Sequence, residues 1–375
     1  MSTALMNATH MNRTLQAWRL RLPLERPYRL AFGPVEALDT VVVRMAVADP
    51  PAGETVEGYG EATLLTGYTD ETIDGAWSSA CALLDAAARP GFDLAGALDR
   101  LEPDQPFLAT AFRTAAEMAA MAPALTLEEP ARVPILGLLQ GDSPAQLAAE
   151  IDGLLAQGYR TLKLKVGFDP ARDAAAVAVA QRVLSDRARL RLDANQGYDP
   201  AAATEFLTRL SPDGIELFEQ PCAAGDWAAH AAVVPVARAR GIPLMLDESI
   251  YAVSDIERAA QSGAAGFVKV KLMKFGSMDR LVAAIARIRD LGMQPVLGNG
   301  VAADLGCWME ACVAARHIDN AGEMNGFLKP RARLLADPLV FREGAIELPA
   351  RWRPRVNRAT LDRLALATAG PAGKE

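Results

Sequence analysis

From Val133 onward, short apolar segments alternate with amphipathic helical segments. The apolar segments include TLKLKVG, RLRLDAN, ELFEQP and GFVKVKL, and the helical ones include SPAQLAAEIDGLLAQG and SMDRLVAAIARIRDLG. A connection of helix length places the next strand parallel to the last, whereas antiparallel neighbours need only a short turn. The alternation therefore predicts an α/β fold with parallel strands over residues 126–330.

Charged residues recur in this region at a spacing that matches one strand–helix unit. Lys165 lies 28 residues before Asp193, and Asp193 lies 26 before Glu219. Asp247 follows Glu219 after 28 residues and precedes Lys271 by 24. We therefore predict each of these residues at or near the carboxyl end of a successive strand. A closed barrel gathers such ends around one mouth, whereas an open sheet lays them out in a row, so we expect a closed barrel.

The regions on either side of the predicted barrel differ from it in their pattern of apolar and polar residues. Residues 16–62 contain strand-like runs separated by turns, and residues 70–125 change to an Ala-rich helical periodicity. They predict an α+β domain over residues 1–125. Residues 331–375 are irregular and end in an Ala/Gly-rich tail, which we expect to be mobile.

Composition excludes several classes of partner. The chain of 375 residues is 51% hydrophobic with a formal net charge of −7, and it shows no basic stripe of the kind that nucleic-acid binding requires. It has neither a signal-peptide pattern nor an apolar run of the roughly 20 residues that cross a bilayer. We expect a cytoplasmic protein without nucleic-acid or membrane partners. The four cysteines lie in apolar contexts and are expected to be free thiols. The oligomeric state is left open, a homo-oligomer included.

Three carboxylates at neighbouring strand ends would repel one another unless a cation lies among them. Hard oxygen ligands and an incomplete protein shell favour Mg²⁺ over Zn²⁺. Lysines flank the carboxylates on both sides, and Lys163 shares a strand face with Lys165 because side chains alternate along a strand. A lysine near a divalent ion and a second lysine is expected to be neutral and able to act as a base.

Five motifs carry a resemblance to a known family: KLK at 163–165, DAN at 193–195, EQP at 219–221, DES at 247–249 and KLMK at 271–274. Together they resemble the enolase superfamily, and within it the muconate-lactonizing-enzyme subgroup, along nearly the whole chain. The resemblance implies a modified (β/α)₇β barrel of the TIM type, an N-terminal α+β capping domain, and a C-terminal segment that returns to the cap.

The resemblance also implies roles for these residues. Mg²⁺ would be held by Asp193, Glu219 and Asp247 and would bind the substrate carboxylate. Lys165 and Lys271 would remove and return the α-proton, with Lys163 as a supporting cation that holds the substrate carboxylate or lowers the pKa of its neighbour. The resulting enediolate would be stabilised by the metal.

Residues around these motifs are assigned supporting roles. We expect Asn195, Glu248 and Lys269 to lie behind the ligands, with Glu248 on the opposite strand face and Lys269 paired with Asp247 or with an anionic substrate. Lys274 is expected to be solvated.

In similar dipeptide epimerases an Asp-x-Asp near the eighth strand receives the substrate ammonium group. This chain has Glu323 and Asn325 there, one carboxylate fewer. Substrate contacts are also expected from the cap, at Phe32 and Tyr68, with Leu65 beside them.

The motifs imply an isomerase that abstracts the proton α to a carboxylate of a small substrate. We expect a racemase or epimerase of an amino-acid derivative or dipeptide, similar to the dipeptide epimerases and the N-succinylamino acid racemases. Two lysines on opposite faces equally permit cycloisomerisation, or dehydration of the o-succinylbenzoate synthase type. A non-catalytic relative that only binds a carboxylate is the alternative from another class. Retention of both Lys165 and Lys271 counts against it.

Overall fold

The computed structural model describes residues 13–30, 33–49, 54–65 and 69–370. The chain begins with a twisted antiparallel sheet of three long strands, joined at one edge by a short strand from the C-terminus. These are β1 (Arg13–Leu30), β2 (Gly33–Asp49), β3 (Glu54–Leu64) and β14 (Ala365–Ala369), in the order β14-β1-β2-β3. The prediction that the C-terminal segment is irregular is therefore wrong at β14, because its backbone completes the edge of the cap sheet. Residues 371–375 of the expected mobile tail lie outside the described part.

Three helices cover one face of this sheet: α1 (Ile73–Ala87), α2 (Leu94–Leu101) and α3 (Pro106–Ala119). Helix α3 is buried along most of its length and packs closely on β3. Two glycines permit this approach, since a Cβ added at Gly58 would lie 2.0 Å from the Ala115 carbonyl oxygen and one at Gly60 would lie 2.1 Å from that of Ala111. The cap thus has its own core between sheet and helices.

Seven parallel strands in sequence order form the second domain. They are β5 (Gly137–Leu139), β6 (Thr161–Lys165), β7 (Arg189–Asp193), β8 (Ile215–Glu219), β9 (Leu244–Leu246), β10 (Phe267–Val270) and β11 (Gln294–Leu297). A small sheet of β4 (Ala131–Pro134), β12 (Val340–Arg342) and β13 (Ala345–Leu348) lies beside them, in the order β12-β13-β4. The parallel sheet predicted from the strand–helix alternation is confirmed.

Helices follow the barrel strands. They are α4 (Pro144–Ala156), α5 (Pro170–Leu184), α6 (Pro200–Arg209), α7 (Trp227–Ala239), α8 (Val253–Ser262), the single turn α9 (Leu272–Phe275), α10 (Met278–Asp290) and α11 (Asp304–His317), with α12 (Arg358–Leu364) near the C-terminus. The first three begin alike, because Ser143, Asp169 and Asp199 each accept a backbone N–H of the first turn and are each followed by proline. A capping side chain followed by proline is a strong helix-start signal.

An eighth segment closes the barrel. The N–H of Gly322 donates to Pro134 O at 2.9 Å, and Gly322 O accepts the N–H of Leu136 at 2.9 Å. On the other side, the N–H of Glu323 donates to Leu297 O at 2.9 Å. The residues at 322–323 therefore bridge β11 to the start of the barrel, as a (β/α)₇β topology requires.

Buried carboxyl groups of the cap bind backbone amides of the barrel. Glu61 Oε1 accepts the N–H of Ala303 at 2.7 Å, just before α11. Glu117 accepts the N–H of Met278 at 3.1 Å, at the start of α10. These bonds fix the cap against the helices that follow strands six and seven. No helix in the described ranges is long and apolar enough to cross a membrane.

Candidate active site

The charged residues that were predicted at strand ends do lie there. Lys165, Asp193 and Glu219 are the last residues of β6, β7 and β8. Asp247 and Lys271 come directly after β9 and β10. Their placement is therefore confirmed, and the closed sheet brings them together at one end of the barrel.

Lys163 and Lys165 lie on one face of β6 and both contact Asp193. Each Nζ lies 2.7 Å from Asp193 Oδ2. Lys163 is fully enclosed, with its Nζ also 2.8 Å from Glu219 Oε2 and 2.9 Å from Glu323 Oε2. The Lys165 side chain is 28% exposed. The predicted substrate contact of Lys163 is therefore wrong, because three carboxylates enclose its ammonium group, and Lys165 is the one of the two within reach of a substrate.

Asp247 is surrounded by lysines at the other end of the carboxylate row. Lys271 Nζ lies 2.8 Å from its carboxylate, and Lys274 Nζ lies 3.1 Å from Oδ1 and 2.8 Å from the backbone oxygen. The prediction that Lys274 is solvated is wrong, because the turn of α9 carries its side chain back to Asp247 beneath the Tyr251 ring. Burial lowers the pKa of Lys274 to about 8, although Asp247 opposes the shift.

Lys269 lies in the interior between these two groups. Its Nζ donates to Glu219 Oε1 at 3.0 Å, lies 3.4 Å from Asp247 Oδ2, and donates to Glu323 Oε2. The sequence suggested a pairing with Asp247 or with a substrate. The structure shows that Lys269 also pairs with Glu219 and Glu323.

The pKa values of the carboxyl groups differ according to how many ammonium groups surround each one. Burial opposes ionisation of Asp193, but Lys163 and Lys165 outweigh it and lower the pKa to about 2. Burial, with Asp193 nearby, raises the pKa of Glu219 to about 7. Burial lowers the pKa of Lys165, but Asp193 reverses the effect, and the net shift is upward. Neutrality of Lys165 thus depends on a divalent ion among the carboxylates and stays a prediction.

Asn195 and Glu248 form a polar layer beside Asp193. The backbone N–H of Asn195 donates to Asp193 Oδ1 at 2.9 Å, and its Nδ2 donates to Glu248 Oε1 at 2.9 Å. Asn195 Oδ1 accepts from Lys165 Nζ. The expectation that Glu248 lies on the opposite face is wrong, because β9 ends at Leu246 and strand alternation does not extend to it. Burial raises the pKa of Glu248, and the negative charge of Asp247 adds a smaller upward shift.

Asn325, the cap residue Tyr28, and Lys329, which the sequence did not single out, lie on the eighth-segment side. Asn325 Nδ2 donates to Leu136 O at 3.2 Å, and its Oδ1 accepts from Lys329 Nζ at 3.0 Å. The Lys329 ammonium group lies 4.6 Å from the ring centre of Tyr28, and burial lowers its pKa to about 8. No sequence pattern marks this contact, because Tyr28 belongs to the cap and Lys329 follows the barrel.

Two cap residues predicted to contact the substrate, Phe32 and Tyr68, lie outside the described residues. Leu65, beside them in the prediction, is described and buried. Their contacts with a substrate therefore stay a prediction.

A cavity of about 600 Å³ leads away from Lys165 and Asn195. It passes between the first turn of α4 and the N-terminal half of α5, with Tyr28 on the cap side. Much of its lining is apolar and includes Leu138, Leu147, Leu164, Val166, Phe168 and Val179. A volume of this size holds a small organic ligand with an apolar substituent.

The carboxylates fit Mg²⁺ in donor type. Asp193, Glu219 and Asp247 provide hard oxygen ligands from three adjacent strand ends. Glu219 Oε2 is buried and makes no hydrogen bond within the described structure, although Lys163 Nζ is its ion-pair partner. The described residues include no three Asp, Glu, His or Cys side chains already arranged around one ion. Ammonium groups lie between the carboxylates instead. The ligand role of these residues therefore stays a prediction.

The fold and this site define a class. A capped (β/α)₇β barrel whose mouth carries a row of three carboxylates between lysines has the architecture of the enolase superfamily. Residues 146–353 match the family described as enolase C-terminal domain-like. The chain belongs to this family and, within the superfamily, to the muconate-lactonizing-enzyme subgroup, as its motifs predicted.

Similar proteins include two curated epimerases. The chain is 31% identical over 320 residues to the aromatic dipeptide epimerase of Herpetosiphon aurantiacus, covering 80% of this chain and 85% of the relative. It is 28% identical over 317 residues to the L-Ala-D/L-Glu epimerase of Bacillus subtilis, covering 80% and 84%. The dipeptide epimerase of Cytophaga hutchinsonii, crystallised with Mg and D-Ala-L-Val, has the same fold, with a TM-score of 0.83 at 22% identity over 96% of this chain and 99% of that one.

Proposed function

We propose that this protein uses Mg²⁺ to remove and return the proton α to a carboxylate, and so epimerises a dipeptide or racemises an N-acylated amino acid. One observation carries the proposal. Lys165 pairs with Asp193 at one end of the carboxylate row, and Lys271 pairs with Asp247 at the other end. Two amines that flank a bound carboxylate can reach its α-carbon from opposite faces.

The relatives support this choice of reaction. The similar protein from Herpetosiphon aurantiacus is named an aromatic dipeptide epimerase, and the one from Bacillus subtilis is named an L-Ala-D/L-Glu epimerase. The apolar cavity beside Lys165 supports a substrate with a hydrophobic substituent.

The ligands of Mg²⁺ would be Asp193, Glu219 and Asp247. The ion would bind the substrate carboxylate and stabilise the negative charge that develops as the α-proton leaves. Electrostatic stabilisation of this kind is usually the largest single contribution to catalysis. Lys163 is too enclosed to reach a substrate and holds Asp193 and Glu219 in place.

Proton transfer falls to Lys165 and Lys271. To accept a proton, Lys165 must leave its ion pair with Asp193, and coordination of Asp193 to a cation would weaken that pair. One lysine then takes the proton from one face, and the other delivers a proton to the opposite face. The configuration at the α-carbon is inverted.

The test uses dipeptides and N-acylated amino acids in ²H₂O with Mg²⁺, followed by NMR of the α-position and by chiral chromatography. The wild type should incorporate deuterium with inversion. Lys165→Met and Lys271→Met should each abolish inversion, while each still exchanges the α-proton of one configuration, opposite in the two variants. A single base is expected to contribute about 10²–10⁴ in rate. Arg209→Met, on the exposed side of α6, is the control.

Three results would change the proposal. Inversion at the wild-type rate in both lysine variants would disprove the two-base assignment. Loss of water or ring closure would select the dehydratase or cycloisomerase alternative. Metal-dependent binding of these carboxylates without exchange would select the non-catalytic alternative.

A further inference from the structure

The ammonium group of Lys269 lies where two proposed metal ligands converge. Its Nζ is 3.0 Å from Glu219 Oε1 and 3.4 Å from Asp247 Oδ2. The Lys269 side chain is only 3% exposed, and no solvent layer separates it from these oxygens. Lys269 therefore contacts both carboxylates.

A divalent ion bound to these oxygens would lie close to this ammonium group. Mg²⁺ requires its oxygen ligands at about 2.0–2.1 Å. An ion bound to Glu219 Oε1 and Asp247 Oδ2 would therefore lie within about 5 Å of Lys269 Nζ. The two cations also repel each other strongly at such separations in a buried site. Metal binding must displace Lys269 from Glu219 and Asp247.

Glu323 provides the displaced lysine with a partner. Its Oε2 already accepts a hydrogen bond from Lys269 Nζ, and it is not one of the three proposed ligands. Glu323 lies on the segment that closes the barrel, beside β11, which pairs with the Lys269 strand. A small rotation of the lysine side chain would leave Glu323 as its main contact. The lysine then stays paired and buried, which avoids the cost of an isolated buried charge.

We propose that Lys269 is a resident counter-cation of the metal site. It neutralises Glu219 and Asp247 in the metal-free protein and withdraws onto Glu323 when a divalent ion binds, so the Lys269–Glu323 pair sets the metal affinity. This inference rests on the metal site of the proposed function and adds a regulation of it that involves neither acid–base lysine.

The test measures the affinity for Mg²⁺ itself, by isothermal titration calorimetry and by the Mg²⁺-dependent rise in unfolding temperature after EDTA treatment. Lys269→Met should bind Mg²⁺ at least about tenfold more tightly than the wild type, because a like charge has been removed from the ligands. Its metal-free form should unfold at a lower temperature than the metal-free wild type. Glu323→Gln should bind at least about tenfold more weakly, since the displaced lysine has lost its partner.

The double variant Lys269→Met/Glu323→Gln separates this coupling from the direct effect of the Glu323 charge. Because Glu323 also pairs with Lys163, loss of its carboxylate in the Lys269→Met background should still weaken Mg²⁺ binding, but by a smaller factor than in the wild-type background. The double variant loses one charge of each sign and leaves no unpaired charge from this pair. It can therefore replace Lys269→Met in the test if the single variant does not fold. In that case it should bind Mg²⁺ at least about tenfold more tightly than Glu323→Gln.

Lys329→Met is the matched control. It also removes a buried ammonium group, but one that donates to Gly300 O and Asn325 Oδ1 and contacts neither Glu219 nor Asp247. It should change the affinity by less than about threefold.

The outcomes distinguish this inference from the function on which it rests. Equal or weaker Mg²⁺ binding by folded Lys269→Met, with normal binding by the wild type, overturns the inference and leaves the proposed function standing. Absence of Mg²⁺ binding in both proteins overturns the inference together with the metal site. Binding by Lys269→Met alone supports the inference.

Discussion

Glu117 links the cap to the barrel through a carboxyl group that should make stability depend on pH. The side chain is 1% exposed and accepts the N–H of Met278 at the start of α10. Burial raises its pKa from 4.5 to about 7. Between these values the folded protein keeps a proton that the unfolded chain has lost. The protonated carboxyl group of Glu117 therefore contributes to the free energy of unfolding in full below about pH 4.5, and this contribution is lost as the pH rises through about 7.

The size of the effect follows from the two pKa values. At about 1.4 kcal/mol per pH unit, a pKa raised from 4.5 to about 7 corresponds to about 3 kcal/mol. Glu117→Gln cannot ionise and lacks this contribution. The free energy of unfolding of the wild type, relative to that of the variant, should therefore fall by up to about 3 kcal/mol between pH 4.5 and pH 8.

Urea denaturation at constant ionic strength, at several pH values, measures this difference. Glu205→Gln, which removes an exposed partner of Arg209, is the control and should leave the pH profile unchanged. Parallel pH profiles for the wild type and Glu117→Gln would show that Glu117 is ionised in both states, and the linkage between cap docking and protonation would be rejected.

Three further predictions concern the cavity and two glycines. Ala176→Phe narrows the cavity beside Lys165 and should lower kcat/KM for substrates with large apolar groups while sparing small substrates. Ala178→Phe lies on the same helix but outside the cavity lining, and it should change kcat/KM little for either kind of substrate. Equal losses for all substrates in Ala176→Phe would contradict the role of the cavity. Gly60→Ala should lower the free energy of unfolding by at least about 2 kcal/mol, because its Cβ would meet the α3 backbone. Gly153→Ala, where a Cβ meets open space within α4, should raise that free energy by about 0.5–1 kcal/mol, and chemical denaturation measures both.

The sequence predicted the positions of the functional groups along the chain well, because one strand–helix unit has a nearly constant length. The spacing from Lys165 to Lys271 placed each charged residue within one position of a strand end. The barrel type came from the resemblance, and the hydrogen bonds of Gly322 confirm that the sheet closes.

Contacts across the barrel interior were much harder to predict. Lys269 pairs with Glu219 and Glu323, which are 50 and 54 residues away, and strand spacing does not show which interior side chains meet. Lys274 was misplaced because the single turn of α9 reverses its direction after β10. Both failures concern side-chain direction, and a pattern of residue types along the chain does not record direction across a barrel.

The balance of charge in this site gives a physical reason to expect cooperative binding of metal and substrate. Burying several ions is costly unless each is paired, and removal of one partner leaves an uncompensated charge. Here five lysines face five carboxyl groups within the ion pairs and hydrogen bonds described above, namely Lys163, Lys165, Lys269, Lys271 and Lys274 against Asp193, Glu219, Asp247, Glu248 and Glu323. Without a metal this set is nearly neutral and offers an anion little attraction. A divalent ion adds two positive charges, and a substrate carboxylate then removes part of the excess, so each ligand should bind more tightly in the presence of the other.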